Sequence, residues 1–336
     1  MNNSQKTAVF SQLGDRLRGL PQEELKNWLS EAWSRNKWFD EENIRLALAG
    51  IISFLNEKDL QKWISNYSEK NGPVKNVGIV MAGNIPLVGF HDFLCVLMSG
   101  NRAVVKLSSE DSVLTKKIAS LLIEIEPGFA DLIEFADKLN HVDAVIATGS
   151  DNTAKHFEYY FSKIPRIIRK NRVSVAVLDG NETPEELSLL GEDILQYYGL
   201  GCRNVSKIFI PENYNIDKFY EAIQPLSLVM NNNKYNNNYE YNRALYLLKS
   251  IVHLDNGFLI LTETTELISP ISVLYYEYYK TKEEVIQKLE SKKDKIQCVV
   301  SSTRMIEKSF AFGQAQKPSL WDYADNVDTM KFLLNI

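Results

Sequence analysis

The sequence is poor in the residues that build disulfide frameworks, metal sites and polyanion-binding surfaces. Its 336 residues include three cysteines and four histidines, and no two cysteines form a CxxC pair. An odd number of widely spaced cysteines argues against a disulfide framework and indicates reduced thiols in a reducing cytoplasm. So few thiol and imidazole ligands argue against a dedicated transition-metal site. Lys and Arg total 38 against 43 Asp and Glu, with no basic stripe, which argues against a nucleic-acid partner.

Long apolar runs are missing as well. No uncharged apolar segment is long enough to span a bilayer, and the mean hydropathy is -0.23. Residues 1–7 lead into no apolar segment, so we expect no secretory signal. We therefore expect a cytoplasmic protein without a membrane span. Hydrophobic residues make up 45% and charged residues 24%, which is typical of a folded globular chain, and the length suits two domains.

The first part of the chain has a helical pattern. Apolar residues within 25–33, and again within 48–55, recur every three or four positions, which is typical of buried helix faces. We therefore predict a helical segment over residues 1–70. Residues 66–76 are polar and contain a Gly-Pro pair, so this stretch is predicted to lead into the next unit.

Short apolar runs and helical patterns alternate further along the chain. Residues 77–81, 103–107, 144–147 and 173–178 have the composition of strands covered on both faces, and residues 112–124 have a helical pattern. This alternation predicts a parallel, doubly wound α/β sheet. Neither a GxGxxG fingerprint nor a Walker A motif occurs, so a standard Rossmann loop or P-loop is not expected to bind the ligand.

Polar residues follow three of these predicted strands. Ligands of doubly wound sheets bind at the carboxyl ends of the strands, so the polar residues there are candidate binding residues. For Asn84 the alternative is a turn residue before an Ile-Pro pair, and for Ser108 and Ser109 it is the start of the next helix. The candidates are Asn84 after the first strand, Lys106, Ser108 and Ser109 at the second, and Thr148, Gly149 and Ser150 at the third.

One cysteine stands in a loop rather than in an apolar run. A predicted helix ends at residues 199–201, which are Gly-Leu-Gly, and Cys202 follows directly. Small neighbours let a substrate carbonyl approach the sulfur, and a thiolate is both a good nucleophile and a good leaving group. Cys202 is therefore a candidate nucleophile with Arg203 as its neighbouring cation, and an incidental loop cysteine is the alternative. Cys95 and Cys298 lie in apolar stretches and are expected to be buried.

An asparagine-rich stretch stands apart in composition. Residues 231–238 read NNNKYNNN and are of low complexity. We predict that this stretch is an exposed loop.

Five segments of the chain have the form of known motifs in a fixed order. They are 83–87 (GNIPL, like WNFPL), 100–109 (GNRAVVKLSS, like GNxVVxKPSE), 148–150 (TGS, like FTGS), 199–202 (GLGC, like GQxC) and 266–271 (ELISPI, like EIFGPV). In this order they resemble the motifs of the aldehyde dehydrogenase superfamily. Each alone is a weak signal, but their order over residues 77–300 is specific. Among the branches, the LuxC-type acyl-CoA reductases are similar over nearly the whole chain, including a helical beginning and the tail at 317–323.

The resemblance implies an aldehyde-dehydrogenase-like α/β fold of two α/β domains with a helical N-terminal segment. It further implies that Cys202 is the nucleophile, that Asn84 is an oxyanion donor and that Glu266 holds the nicotinamide ribose. A solvated loop charge is the alternative for Glu266. The other candidates at the strand ends would bind the cofactor. The implied divisions are a helical segment at 1–70, an NAD(P)-binding domain at 71–195, a catalytic cysteine domain at 196–305 and a C-terminal return segment at 306–336.

Two departures from the superfamily pattern bear on the reaction. The glutamate base that activates water has no counterpart in residues 168–171, which read IRKN, so hydrolysis of the acyl-enzyme is disfavoured. Transfer of the acyl group between Cys202 and coenzyme A needs no such base and is compatible with this departure. Ser109 stands where the family has an acidic residue that would repel a 2′-phosphate, and Lys106 can pair with that phosphate. NADPH is therefore favoured, with NADH as the alternative.

Taken together, the resemblance predicts an enzyme, an acyl-CoA reductase. It would convert a (fatty) acyl-CoA and NADPH into the aldehyde, coenzyme A and NADP⁺ through a thioester on Cys202. The alternatives are an acyl-phosphate reductase of the same superfamily and a catalytically silent scaffold that binds acyl groups or nucleotide. A homo-oligomer and an acyl-transferring or acyl-activating protein partner are compatible with the resemblance.

Overall fold

A computed structural model describes most of the chain, with two short gaps. Asn71 of the predicted linker, and Thr303 and Arg304 of the predicted catalytic domain, lie outside the described residues. Among the described residues, no helix is both long and apolar enough to cross a membrane. The described ranges are 1–70, 72–302 and 305–336.

The described chain folds into alternating helices and strands. The α-helices are α1 (Asn3–Arg18), α2 (Gln22–Arg35), α3 (Glu41–Phe54), α4 (Glu57–Ile64), α5 (Phe90–Met98), α6 (Leu114–Ile125), α7 (Asp151–Tyr160), α8 (Pro184–Leu195), α9 (Ile216–Ile223), α10 (Asn233–Leu248), α11 (Lys282–Ser291) and α12 (Thr329–Leu334). The strands are β1 (Asn76–Val80), β2 (Arg102–Lys106), β3 (Ile133–Phe135), β4 (Ala144–Thr148), β5 (Arg166–Arg169), β6 (Val173–Val177), β7 (Val205–Pro211), β8 (Leu254–Asp255), β9 (Ile260–Glu263), β10 (Val273–Tyr279) and β11 (Ile296–Ser301).

The chain divides into two compact units. The first unit comprises Met1–Asn171 together with Ser319–Ile336, and the second comprises Arg172–Pro318. The predicted boundary at residue 195 differs from this division, because β6 hydrogen-bonds to β7 and β11 while the preceding β5 pairs with β4. Only three residues separate β5 from β6, yet the backbone pairing assigns them to different sheets.

The helical beginning predicted for the first unit is confirmed. Helices α1, α3 and α4 each start where a side chain accepts a backbone N–H, at Asn2, Asp40 and Asn56 respectively. Their apolar faces are buried, with Trp63 of α4 fully inaccessible. The regular spacing of apolar residues thus marked these helices correctly.

The first unit is built on a parallel five-stranded sheet in the order β3-β2-β1-β4-β5. The predicted parallel α/β fold is confirmed here. The three middle residues of β1 and of β2 are buried, as expected for strands covered on both faces. Because all five strands run in one direction, their carboxyl ends share one edge of the sheet.

The last eighteen residues belong to the first unit. The hydroxyl of Tyr323 accepts a hydrogen bond from Trp63 Nε1 at 2.7 Å and lies 2.7 Å from the Tyr67 hydroxyl. Arg169 Nη1 donates to the Ala324 carbonyl at 2.7 Å. Part of the predicted return segment, residues 306–318, belongs instead to the second unit.

The second unit is built on a six-stranded sheet in the order β11-β6-β7-β10-β9-β8. All its pairs are parallel except the antiparallel pair of β8 with β9. The buried residues Val175, Phe209, Leu267 and Leu289 belong to one of its apolar clusters. In the order of this sheet, β7 lies between β6 and β10, and it is buried along most of its length.

The predicted loop at residues 231–238 is wrong. Asn232 caps the helix α10, which covers most of this stretch, by accepting the N–H groups of Lys234 and Tyr235. Tyr235 and Tyr239 of this helix are buried, and the Tyr235 hydroxyl donates to the Phe258 carbonyl at 2.9 Å. Burial of the tyrosine face stabilises a helix that its asparagines alone would not favour.

Candidate active site

Candidate residues of the first unit lie at the carboxyl edge of its sheet. Asn84 follows β1, Lys106 ends β2 and Thr148 ends β4, and these three strands are neighbours. Asn84 and Lys106 are exposed, and Thr148 is half-buried. The structure thus brings the first unit's candidates to one edge, as the sequence predicted from the strand ends.

The loop that carries Asn84 is held from two sides. The Gly83 carbonyl accepts a hydrogen bond from Asn36 Nδ2 at 3.3 Å, and the Leu87 N–H donates to Asp111 Oδ2 at 2.7 Å. Burial raises the pKa of Asp111 to about 6, against the opposing effect of the Leu87 N–H. The helical segment therefore supports this loop through a side chain at the end of α2.

A close approach joins the loops after β1 and β2. A Cβ atom on Gly83 would lie 2.6 Å from Ser108 Oγ, so this position requires glycine. Ser108 Oγ also accepts the N–H of Glu110 at 3.2 Å, which caps the turn Ser109–Asp111. Ser108 thus begins a helical turn, which was the alternative considered for it. Ser109 itself is exposed.

The edge of the first sheet offers donors suited to a phosphorylated ribose. Lys106 Nζ donates to the Asp137 carbonyl at 3.0 Å and remains exposed. Ser150 caps α7 by accepting the N–H of Thr153 at 3.3 Å. A Cβ on Gly149 would lie 2.9 Å from Thr153 Cγ2, so glycine lets the turn pass close over the helix. Ammonium, hydroxyl and helix N-terminal groups are the ones that bind phosphate and ribose oxygens.

The candidate nucleophile belongs to the second unit. Cys202 is exposed, whereas Cys95 and Cys298 are buried, so the predicted contrast among the three cysteines is confirmed. After α8 the chain turns through left-handed conformations at Tyr197 (φ 51°) and Tyr198 (φ 58°), which are both buried. The glycine-flanked loop with Cys202 follows this tight turn and leads into β7.

A buried asparagine that the sequence reasoning missed locks this loop. Asn204 Oδ1 accepts the Gly201 N–H at 2.8 Å, and its Nδ2 donates to the carbonyls of Asp193, Ile194 and Gln196 at 3.2, 3.2 and 2.7 Å. One amide side chain thereby joins the end of α8 to the residue before the cysteine. The sequence shows an asparagine beside a glycine-rich turn, which indicates a turn-stabilising side chain. It does not show which groups that side chain binds.

The main chain of Cys202 is also held from behind. Ser174 Oγ donates to the Cys202 carbonyl at 3.1 Å and lies 3.0 Å from the sulfur of Cys298. Burial raises the pKa of the Cys298 thiol. The neighbouring cation Arg203 donates to the Ala315 carbonyl at 2.9 Å and lies over the Phe310 ring. In the structure Arg203 therefore binds the segment that contains Phe310 and Ala315.

A second buried group ties α8 to that segment. The Asp193 carboxylate accepts the N–H groups of Gly313 at 2.7 Å and Ala315 at 3.0 Å. Burial raises the pKa of Asp193 to about 7, although both N–H groups oppose the shift. Asp193, Asn204 and Arg203 therefore form a connected set of bonds around the cysteine loop.

Glu266 lies in the second unit, in the connection from β9 to β10. Its side chain is exposed, and its carbonyl accepts a hydrogen bond from Lys207 Nζ at 3.1 Å. Because Lys207 lies in β7, directly after the cysteine loop, one strand connects the two candidate residues of this unit. The catalytic and cofactor-binding roles of all these residues stay predictions.

A family model described as acyl-CoA reductase (LuxC) matches residues 22–236, which is more than half of the chain. The chain belongs to the LuxC acyl-CoA reductase family. It is an oxidoreductase acting on aldehyde groups. A comparison with curated protein sequences gives no significant match.

Solved structures confirm the fold of this LuxC-family protein. An indole-3-acetaldehyde dehydrogenase of P. syringae, in complex with NAD+ and IAA, is similar with a TM-score of 0.70 and 15% identity, over 94% of this chain and 75% of that one. An NAD+ complex of an aldehyde dehydrogenase from Bacillus cereus has a TM-score of 0.65 and 14% identity, over 90% and 72%. A Mycobacterium tuberculosis aldehyde dehydrogenase complexed with NAD+ has 0.64 and 14%, over 90% and 73%.

Residues 168–171, where the sequence offers no glutamate, include one partner of a buried ion pair. Arg169 Nη2 lies 2.6 Å from Asp92 Oδ1 and donates to Thr329 Oγ1 at 3.0 Å. Asp92 raises the pKa of the buried Arg169 guanidinium, although burial opposes this effect. A guanidinium held in this way accepts no proton from water. The departure noted in the sequence therefore coincides with a structural role.

Proposed function

We propose that this LuxC-family protein reduces an acyl-CoA thioester to the aldehyde with NADPH, through an acyl-enzyme on Cys202. A fatty acyl-CoA is the proposed substrate class. The observation that carries the proposal is the exposed cysteine on a loop locked by Asn204, in a chain whose stretch 168–171 has no base for hydrolysis.

The first half of the reaction transfers the acyl group to the protein. The Cys202 thiolate attacks the thioester carbonyl, a carbon–sulfur bond forms, and the carbonyl oxygen gains the negative charge. The Asn84 side-chain amide and the Cys202 N–H are the proposed donors to this oxyanion. Loss of one such donor typically costs roughly 3–4 kcal/mol of transition-state stabilisation. The oxyanion then collapses and expels coenzyme A as its thiolate.

The second half releases the aldehyde. The reduced nicotinamide, when bound, supplies the hydride that adds to the acyl carbon. Cys202 then leaves from the thiohemiacetal as a thiolate and is ready for the next acyl group. Overall, acyl-CoA, NADPH and one proton give aldehyde, coenzyme A and NADP⁺. Because residues 168–171 contain no carboxylate that could activate water, transfer to coenzyme A is favoured over hydrolysis of the acyl-enzyme.

The donors of the first sheet fit the proposed cofactor. Lys106 and Ser109 would hold the 2′-phosphate and ribose of NADPH, and residues 148–150 would lie beside the dinucleotide. In the second unit, Glu266 would accept a hydrogen bond from the nicotinamide ribose. NADH is the second candidate, and Glu110 favours it, because this exposed carboxylate directly follows Ser109 and could bind ribose hydroxyls.

The proposal is tested by following NADPH absorbance with acyl-CoAs from short to long chain, with NADH in parallel. We expect acyl-CoA-dependent oxidation that disappears in Cys202→Ala. The matched control is Cys95→Ala, which removes a buried thiol in the first unit and should keep the activity. If the folded wild-type protein oxidises NADPH with none of the acyl-CoAs in the panel, the proposal is contradicted. Turnover of an acyl phosphate instead would support the acyl-phosphate reductase.

A further inference from the structure

A buried lysine of the second unit has no part in the reaction as proposed so far. Lys207 lies in β7, and its side chain is 0% exposed. Its Nζ donates to the Thr264 carbonyl at 2.7 Å, to the Glu266 carbonyl at 3.1 Å and to the Glu277 carboxylate. An ammonium has three N–H donors, so these acceptors satisfy it fully. Lys207 therefore binds the main chain of the loop that carries Glu266.

The loop at residues 264–267 is held at every carbonyl. Besides the two bonds from Lys207, the Thr265 carbonyl accepts from Lys292 Nζ, and the Leu267 carbonyl accepts from Ser206 Oγ at 2.7 Å. Connecting loops usually direct many of their carbonyls to water. Four consecutive carbonyls bound by side chains thus indicate a loop whose main-chain conformation is specified.

The side chain of Glu266 contrasts with its main chain. The carboxylate is exposed, while the neighbouring Leu267 is buried in the apolar cluster with Phe209. A fixed backbone beneath an exposed carboxylate is the arrangement that holds a binding group in a productive geometry. Stability alone does not require it, because replacing a buried ion pair by apolar residues is often neutral or stabilising.

The charge of Lys207 is balanced locally. Glu277 also lies 2.9 Å from Lys288, which in turn lies 2.6 Å from Glu284. Two cations thus alternate with two carboxylates, and the group adds no net charge. Lys207 therefore acts on the loop by geometry and not by its long-range field.

We propose that Lys207 is a positioning residue that aligns the Glu266 carboxylate for the nicotinamide ribose. The proposal rests on the proposed function, because it takes the ribose-binding role of Glu266 from it. It assigns to β7 two tasks, since the strand both follows the nucleophile loop and fixes the loop that would hold the cofactor.

The test measures the Kd of NADPH by titration of protein fluorescence, so that it does not depend on turnover. We expect Lys207→Met to raise this Kd about tenfold, in line with the effect of removing a group that orients a ligand. The matched control is Lys288→Met, which interrupts the same ion chain without a contact to residues 264–267. Its Kd should stay within about twofold of the wild-type value.

A double-mutant cycle separates positioning from general damage. If Lys207 acts through Glu266, Lys207→Met should raise the Kd no further in a Glu266→Ala background. Hydrogen exchange of the amides at 264–267 should become faster in Lys207→Met. Should that variant fail to fold, Lys292→Ala removes only the bond to Thr265 and should shift the Kd and the exchange in the same direction.

Two results would overturn the positioning role. One is an equal rise in Kd with and without the Glu266 side chain, and the other is unchanged exchange of the loop. Retained nucleotide binding without turnover of any acyl-CoA would contradict the proposed reaction alone, and the cycle would still decide the role of Lys207.

Discussion

At the scale of single residues, environment distinguishes three chemically identical thiols. Cys95 is packed inside α5 and Cys298 lies in β11, and burial raises the pKa of both. Only Cys202 is exposed, on a loop whose backbone is bound by Ser174 and Asn204. The candidate nucleophile is thus defined by the polar side chains that hold its main chain.

Removal of the Asn204 side chain should loosen the cysteine loop and destabilise the protein. Asn204→Ala leaves the buried Gly201 N–H and three carbonyls without this partner, so we expect a loss of about 3 kcal/mol in the free energy of unfolding. The rate of acyl-CoA reduction should fall, while the Kd of NADPH stays the same. Urea unfolding and steady-state kinetics measure both effects.

The control for this variant is Asn237→Ala, because Asn237 is exposed on α10. Its unfolding free energy should change by less than about 0.5 kcal/mol. Equal effects of the two substitutions would contradict the special role of Asn204.

The buried carboxyl of Asp193 should make stability depend on pH. Its pKa is raised from the ordinary 3.8 to about 7, mainly by burial. Between these values the folded chain keeps a proton that the unfolded chain loses, so stability should fall as the pH rises through this range. Urea unfolding from pH 4 to about 8 tests the slope.

Asp193→Asn removes this titration and should flatten the slope. Asp111, whose pKa is raised to about 6, contributes with the same sign, so the difference between the two proteins isolates Asp193. Identical slopes in wild type and variant would show that Asp193 is not the titrating group.

At the scale of elements, α10 shows how burial overrides composition. Its asparagines favour turns, yet Tyr235, Tyr239, Asn242 and Tyr246 recur along one face and are all buried. The tyrosines, and not the asparagines, were the informative residues of this stretch.

Substitution of the buried tyrosine should destabilise the protein far more than substitution of an exposed one. Tyr235→Ala removes a fully buried ring and its hydrogen bond to the Phe258 carbonyl, so we expect a loss of about 3–5 kcal/mol. Tyr241, on the same helix, is 66% exposed, and Tyr241→Ala should cost less than about 0.5 kcal/mol. Similar thermal unfolding midpoints for the two variants would contradict the assignment of the buried face.

At the scale of the whole molecule, the chain returns to its first unit after completing the second. The returning residues provide acceptors for the side chains of Trp63, His91 and Arg169. The first unit is therefore complete only when the end of the chain is in place.

A chain that ends at Pro318 should have a destabilised first unit. Several buried polar groups would lose their partners at once, so we expect a loss of more than about 3 kcal/mol. Tyr323→Phe, which removes only the hydroxyl between Trp63 and Tyr67, should cost about 1–3 kcal/mol. Urea unfolding followed by tryptophan fluorescence compares the two, and a truncated chain as stable as the wild type would contradict this role.

Much of the architecture was determined by the sequence alone. Helix faces, strand runs and the order of the glycine-rich and polar loops depend on residues close together in the chain, so periodicity and turn chemistry reveal them. The parallel α/β fold, the helical beginning and the exposure of Cys202 all follow from such local patterns.

The tertiary structure alone decided which distant groups meet. It paired β6 with the second sheet, placed Asn204 beneath the cysteine loop and brought Lys207 to carbonyls 57 and 59 residues away. It also buried the tyrosine face of α10. Hydrogen bonds and burial act through space, and a local pattern of residues shows that a group needs a partner without showing which one the fold supplies.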